Sequence, residues 1–372
     1  KRVTGRGVNR NLLERKDTRR MKVVFVIVSL AGGGAERVIS ILANRFVQKG
    51  IDVTVMMTAG DTVAYPLDNR IRLLSIGGTS GGSMRLRLRR IRRMREYFKA
   101  NRDAVIISFG PGTSFFAVAA SLFLGHKMVI SERNDPAICP HKRLRNLVYA
   151  RADRLVFQTE DAMDRFPPYI RKKGMVIPNP VSGTLPAVYA GERTEEIAAV
   201  GRLEQQKNYG MLLRAFAVFH QKFRTYRLHI FGKGGMQEEL ERLAGELGIR
   251  DAVVFEGFAP DVPERIREMG MYVLSSDYEG MSNSLLEAMA MGMPCISTDC
   301  PIGGSRMCMD SGRRGILTPV GDEAAFAGAM ERLASDEAFA SELSRRAAGI
   351  REEYSEETVS GVWIDVIKEV LA

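Results

Sequence analysis

Residues 22–37 read KVVFVIVSLAGGGAER, and this stretch decides the fold. Lys22–Leu30 is a near-continuous apolar run rich in Val, the pattern of a parallel strand buried on both faces. The glycine turn Gly32-Gly33-Gly34 follows it. A helical pattern then runs from about Ala35 to Lys49 and is ended by Gly50. Strand, tight turn and helix make the opening of a βαβ unit.

The alternation continues outward from there. β-type runs recur at Val53–Met57, Ile71–Ile76, Ala104–Phe109, Met128–Ser131 and Leu155–Gln158, with helical stretches between several of them. Residues 178–195 hold Pro178, Pro180, Pro186, Gly183 and Gly191 and read as a linker. A second series has strand-like runs at Ile197–Val200, Arg227–Phe231, Val253–Glu256, Tyr272–Ser275, Cys295–Ser297 and Gly315–Leu317. Its helical runs are Met211–Gln221, Gln237–Leu247, Ser284–Met291, Glu323–Ala334 and Glu337–Glu353. A last helix, about Glu356–Leu371, spaces Val359, Val362, Trp363, Val366, Ile367 and Val370 at helical period. The expectation is two α/β domains, each with a parallel sheet covered on both faces. Ligands in such folds sit at the carboxyl ends of the strands, here expected in the cleft between the halves.

The length of 372 residues agrees with two domains at roughly 100–200 residues each. Hydrophobic residues at 45% and charged residues at 26% are ordinary for a globular chain and exclude collagen, a mucin-like stalk and a disordered tail. The net charge of +10 is concentrated. Residues 1–20 carry +6 and residues 85–102 carry +8, which leaves −4 for the rest. An anionic partner is therefore expected at a patch and not over the whole surface. Residues 1–20 lack periodicity and read as a flexible leader or tag before Met21. The four cysteines, Cys139, Cys295, Cys300 and Cys308, form no CxxC, so neither a disulfide framework nor a zinc site is expected. The longest apolar runs fall short of the roughly 20 residues of a membrane span. Val23–Ala31 runs into Gly32-Gly33-Gly34-Ala35-Glu36, not into a small-residue cleavage site, and is not a signal peptide.

Four constellations could carry chemistry. Glu279-Gly280-Met281-Ser282-Asn283-Ser284-Leu285-Leu286-Glu287 sets two carboxylates eight residues apart around a loop and a helix start. Its plain reading is a capping box, with Ser284 as N-cap and Glu287 three residues on. Its functional reading is a helix N-terminus facing an anion, with carboxylates that accept bonds from sugar or ribose hydroxyls. Gly201-Arg202-Leu203-Glu204-Gln205-Gln206-Lys207-Asn208 follows a strand. Arg202 as a planar fork and Lys207 as a point charge suit a diphosphate, or are merely a solvated loop. Gly33 and Gly34, like Gly232 in the second half, permit close backbone approach to an anion or simply make tight turns. Finally, Met84, Leu88, Ile91, Met94 and Phe98 share one helical face flanked by arginines that include Arg87 and Arg90. Such a helix suits an anionic membrane surface, or packs on a sheet with a solvated back. It has few interleaved aromatics and no reader motif, which argues against nucleic acid.

Taken together, these motifs resemble family 4 glycosyltransferases of the GT-B fold. The markers occur in order from Met21 to Ala372: Gly33-Gly34-Ala35-Glu36-Arg37, then Val176-Ile177-Pro178-Asn179-Pro180-Val181, then Gly201-Arg202-Leu203 with Gln206-Lys207-Asn208. Glu279 and Glu287 follow, and then Ala288-Met289-Ala290-Met291-Gly292-Met293-Pro294. Ser131-Glu132-Arg133-Asn134 and Asp299-Cys300-Pro301-Ile302-Gly303-Gly304 are similar to segments of bacterial polysaccharide and lipid-linked oligosaccharide transferases. The resemblance implies two Rossmann-like, doubly wound domains facing across a cleft. An acceptor-binding domain would span 21–180 and a linker 181–195. A nucleotide-sugar domain would span 196–354, and a helix over 355–372 would return to the first domain.

The same resemblance implies retaining transfer of a sugar from a nucleotide donor, usually UDP-linked, without a metal or other cofactor. Arg202 and Lys207 would hold the diphosphate, Glu279 the sugar hydroxyls and Glu287 the ribose. Gly201, Gly232, Gly280 and the backbone from Met281 through Ser282 and Asn283 to Ser284 would line the donor site, with Gly33 and Gly34 closing on it. Arg202, Lys207 and Glu279 would be catalytic. Many relatives place a His in the first-domain loop, where this chain offers Arg133, and His126, His141, His220 and His229 do not fill the gap. Glu132 and Arg133 are therefore assigned to the acceptor side. Arg87 and Arg90 on the basic helix 85–102 would attract an anionic membrane or a polyprenyl-diphosphate-linked acceptor, making the protein cytoplasmic and peripheral on the membrane's cytosolic face. A nucleotide-sugar epimerase on the same scaffold is the alternative. A dehydrogenase is disfavoured because the dinucleotide fingerprint is missing.

Overall fold

A computed structural model describes residues 21–77 and 84–372. The expected leader, 1–20, lies outside the described residues. The chain divides into two compact units. One comprises the described residues up to Glu132, with His141–Val156 and Ser360–Ala372. The other comprises Arg133–Pro140 and Phe157–Val359.

The chain begins β1 (Lys22–Ile27), α1 (Gly34–Gln48), β2 (Asp52–Met57), β3 (Arg72–Ser75), α2 (Met84–Ala100), β4 (Ala104–Phe109) and α3 (Pro111–Ser121). It continues β5 (Met128–Ser131), α4 (Lys142–Tyr149), β6 (Arg154–Phe157), α5 (Glu160–Asp164), α6 (Pro168–Arg171) and β7 (Gly174–Val176). These strands form a seven-stranded sheet in the order β3-β2-β1-β4-β5-β6-β7. The pairings among β1 to β6 are parallel. Val23–Ile27 are buried throughout, as the apolar run requires of a strand covered on both faces.

The second series is β8 (Thr194–Val200), α7 (Tyr209–His220), β9 (Arg227–Phe231), α8 (Gln237–Glu246), β10 (Val253–Gly257), α9 (Val262–Ile266), β11 (Met269–Leu274) and α10 (Asn283–Ala290). It ends with β12 (Cys295–Thr298), α11 (Gly304–Cys308), β13 (Ile316–Thr318), α12 (Glu323–Ser335), α13 (Glu337–Ala348), α14 (Ile350–Glu353) and α15 (Glu356–Leu371). The sheet order is β10-β9-β8-β11-β12-β13, again parallel. The single helix expected over Glu337–Glu353 is divided at Gly349 into α13 and α14.

In both sheets the order reverses beside the first strand, between β1 and β4 and between β8 and β11. Loops leaving those neighbours diverge and open a crevice at the strands' carboxyl ends. In the second sheet these are the loops of Arg202 and Glu279. They stand on a core in which Phe216, Phe219, Leu212 and Ile230 are fully buried. Each such side chain contributes roughly 1.5–3 kcal/mol by leaving water.

In the first unit, α15 lays Trp363 on Phe109, stacked at 5.9 Å between ring centroids, and ties Glu369 to Arg154. The apolar face expected along α2 is packed only in its second half. Met94 and Phe98 are fully buried, but Met84 and Leu88 are exposed. Among the described residues no helix is long and apolar enough to cross a membrane.

Candidate active site

The site is built where β8 and β11 end. After β8 the chain turns at Gly201 and makes a single helical turn, Gln205–Lys207. Asn208 then adopts the left-handed conformation and caps α7, its Oδ1 accepting from the Met211 N–H at 3.2 Å. This loop is laced to the one after β11. The Gln206 carbonyl accepts from the Asp277 N–H at 2.9 Å, and Gln206 Nε2 donates to the Tyr278 carbonyl at 2.9 Å. Asn208 Nδ2 donates to Asp277 Oδ1 at 2.6 Å, and Ser275 Oγ donates to the Lys207 carbonyl at 2.8 Å.

These bonds bring Lys207 Nζ onto Glu279 Oε1, an ion pair whose side chains are 13% and 11% exposed. Ser276 Oγ donates to the same carboxylate oxygen at 2.9 Å. Gly201 is needed here: a Cβ would stand 2.7 Å from Lys207 Cε and 3.0 Å from the Tyr209 hydroxyl. The Tyr209 phenol is pushed up from its ordinary value by burial and then by Glu279, so it stays protonated. Arg202 does not join the pair. It is 69% exposed and meets Glu204 Oε1 at 3.0 Å. Gly232 has a φ of +144°, and a Cβ there would run into the Gly201 carbonyl.

Behind Glu279, Gly280 to Ser284 enter α10. A Cβ on Gly280 would strike Gln158 Oε1 and the Arg133 carbonyl, and one on Gly304 would strike the Gly280 carbonyl. Two backbones meet at van der Waals distance because neither carries a side chain. The capping box is not formed. Ser282 is the N-cap without a side-chain cap bond, and α10 begins at Asn283. The Ser284 hydroxyl accepts from the Tyr272 hydroxyl at 2.8 Å and donates to the Val200 carbonyl at 3.3 Å. Sheet contacts claim it before the helix terminus can. Glu287 is consequently the fifth helical residue, and it is buried.

Sequence reasoning quoted Asn179 within a marker but gave it no role, and it missed Gln158. Both are buried. Asn179 Nδ2 donates to the Met281 carbonyl at 3.0 Å and to Asn283 Oδ1 at 2.6 Å. Its Oδ1 accepts from Gln158 Nε2 at 2.9 Å and from Arg133 Nη2. Gln158 Oε1 in turn takes the Met281 N–H at 3.2 Å. That N–H is thus already engaged within the protein. The asparagine between Pro178 and Pro180 was the available signal, since rigid flanks fix where its amide points.

The remaining residues singled out by sequence fall as follows. In the first unit Gly33 is the N-cap of α1 and Gly34 its first residue, with the Glu36 carboxylate folded back over Gly33. Glu132 is buried and accepts from the Tyr149 hydroxyl at 2.8 Å. Arg87 is exposed on α2 and Arg90 is half-buried. Arg133 belongs to the second unit. His126 bonds the Ala104 and Phe98 carbonyls, each at 3.1 Å. His229 Nδ1 lies 2.8 Å from Glu256 Oε1. Among the described residues no group of three His, Cys, Asp or Glu could hold a metal ion.

Comparison with known proteins extends this picture. Residues 194–336 match the family profile "Glycosyl transferases group 1", and residues 32–183 match "Glycosyltransferase Family 4". A Campylobacter jejuni GalNAc-alpha-(1->4)-GalNAc-alpha-(1->3)-diNAcBac-PP-undecaprenol alpha-1,4-N-acetyl-D-galactosaminyltransferase is 28% identical over 94% of this chain and 99% of its own. The fold is similar to sucrose-phosphate synthase from Thermosynechococcus elongatus (TM-score 0.80, 16% identity, 95% of this chain and 99% of that one). It is also similar to Anabaena HepE in complex with UDP (TM-score 0.77, 16% identity, 94% and 100%). Two parallel sheets with the same reversal of strand order, a profile match on each half and a relative aligned almost end to end make the chain a member of the group 1, family 4 glycosyltransferases with the GT-B fold.

Proposed function

We propose that this glycosyltransferase moves a hexose or N-acetylhexosamine from a UDP-linked donor to a polyprenyl-diphosphate-linked saccharide, retaining the anomeric configuration and using no metal. The Lys207–Glu279 pair at the switch point of the second sheet carries the reading. Alone, the ammonium is neutralised by the carboxylate. A donor diphosphate would draw Lys207 to itself, with the exposed Arg202 folding in as a second cation, and would release Glu279 to accept bonds from sugar hydroxyls. The two cations would stabilise the leaving diphosphate. The acceptor oxygen bonds the anomeric carbon from the leaving-group side as the carbon–phosphate-oxygen bond breaks. The acceptor proton passes to the departing phosphate oxygen. Glu287 would hold the ribose.

The UDP named with the similar HepE structure and the undecaprenol-linked substrate named for the Campylobacter relative support the donor and acceptor classes. A peripheral place on the cytosolic membrane face is part of the proposal. The first turns of α2, where Met84 and Leu88 are exposed among arginines, support it.

Calorimetry with UDP, GDP and ADP, with and without EDTA, tests the donor site. UDP should bind best, with or without EDTA, and Lys207→Ala and Glu287→Ala should each abolish the preference. Binding untouched by both substitutions overturns the reading.

A further inference from the structure

A surface helix ordinarily sets its apolar stripe on the core and its polar side chains in water. α3 does the reverse. Its hydroxyls face inward: Ser114 Oγ donates to the Gly110 carbonyl at 2.7 Å and sits 3.0 Å from Ser108 Oγ on β4, with Thr113 buried beside them. Its outward positions, Gly112, Phe115, Phe116 and Ala119, carry no polar side chain, and residues 111–125 include no charged one.

α3 ends in a strained turn. The Leu124 N–H donates to the Ser121 carbonyl at 3.0 Å, with Leu122 at φ −51° and ψ 128° and Phe123 at φ +61°. This is a type II turn, whose third residue is ordinarily glycine. Here it is a phenylalanine that is 96% exposed, so no packing offsets the left-handed backbone. Arg95 on α2 clamps the turn, its Nη1 donating to the Ala120 and Leu122 carbonyls at 2.9 and 2.8 Å.

The surroundings choose the partner. α3 packs against both α2 and α4. Those two helices are strongly basic, with Glu96 their only carboxylate, and Leu88, Leu144 and Leu147 stand exposed on them. Two copies meeting through this face would set cation against cation. An apolar centre inside a basic rim fits an anionic bilayer, with aromatic rings at the acyl boundary and guanidinium groups on the phosphates.

We infer that α3 enters the membrane: its outer face and the Leu122-Phe123 turn insert at the acyl boundary of an anionic bilayer. This rests on the peripheral placement proposed above and deepens it, from attraction by α2 to insertion that salt does not reverse. Vesicles of phosphatidylglycerol and phosphatidylcholine are sedimented with the protein at low salt and at about 1 M salt, where charges are screened beyond about 3 Å. The wild type should stay bound at high salt. Phe123→Gly, which suits the turn, should melt no lower than the wild type yet lose about tenfold or more in high-salt binding, and Phe115→Ser should lose a similar factor. Phe123→Trp should shift its emission to the blue on vesicles and be quenched by brominated acyl chains, above a constant background from the buried Trp363. Complete release of the wild type by salt, or equal high-salt binding by the wild type and Phe123→Gly, overturns the insertion and leaves attraction by α2 standing. No binding at low salt overturns both. A dimer in solution that Phe123→Gly dissociates would assign the face to a second copy and overturn the inference as well.

Discussion

Lys207 and Glu279 lie 72 residues apart in sequence, yet they meet as a nearly buried ion pair between the loops that leave β8 and β11. Removing one partner of such a pair strands the other charge away from water. Lys207→Met should therefore cost about 3 kcal/mol in urea unfolding. The double variant Lys207→Met/Glu279→Gln should recover most of that loss, while UDP-sugar turnover stays lost in both variants. Equal stability of the single and double variants would mean that the pair is not coupled.

Asn179 ties Arg133, Gln158, Met281 and Asn283 into one network. Asn179→Leu keeps the volume but leaves several buried polar groups unmatched, each costing about 1–3 kcal/mol. Unfolding should become easier by at least about 2 kcal/mol. Hydrogen exchange at the start of α10 should quicken. A variant with unchanged exchange there would show that the network does not hold the loop.

Burial pushes the Cys300 and Cys308 thiols up to about 12, and it raises Cys295 as well. Thiolate is the reactive form. Iodoacetamide at neutral pH should label the half-buried Cys139 in the native protein and the other three only after unfolding. Peptide mass spectrometry reads this directly, and rapid native labelling of Cys300 would contradict it.

Burial works to raise the Glu256 carboxyl, but bonds from His229 and Arg265 outweigh it and hold the group below its ordinary 4.5. Glu196 faces the far side of the same imidazole at 3.5 Å. A lowered folded-state pKa gives stability that is full above the unfolded value and lost as pH falls through the folded one. Glu256→Gln should thus be less stable than the wild type at pH 7, and the gap should close as the pH falls through the range below 4.5. Urea midpoints across that window measure it, and a gap independent of pH would exclude this origin.

The proposed membrane contact is tested with phosphatidylglycerol vesicles. Basic residues near an anionic surface contribute about 1 kcal/mol each. Reversing Arg85, Arg87, Arg89 and Arg90 to Glu should lower vesicle binding by about two orders of magnitude or more at low salt, and the difference should shrink as salt rises. Intact binding would dismiss α2 as the contact.

The strands were legible because parallel strands covered on both faces are apolar along their whole length. Ala104–Phe109 and Met128–Ser131 were read to the residue. β7, three half-buried residues beginning at a glycine, carries no such run and was not seen. The α13–α14 break was invisible because Gly349 keeps helical dihedrals and the apolar period runs through it. At the site, residue types and loop positions were readable, but their pairing was not. Nothing in the spacing tells that Lys207 turns in to Glu279 while Arg202 turns out to Glu204. Ser284 was misread as a cap because its competing partners, Tyr272 and Val200, come from elsewhere in the sheet. Local pattern predicts local bonds, and this hydroxyl makes distant ones.

Arg154 and Glu369, partners in the first unit, are 215 residues apart, with the whole second sheet encoded between them. At synthesis rates of about 5–20 residues per second, the ribosome delivers α15 on the order of ten seconds or more after β6. Until then Phe109 waits without Trp363. The half of the molecule that is translated first is therefore the half that finishes last. A nascent chain stalled before residue 360 should present an apolar groove to chaperones while its second sheet is already native.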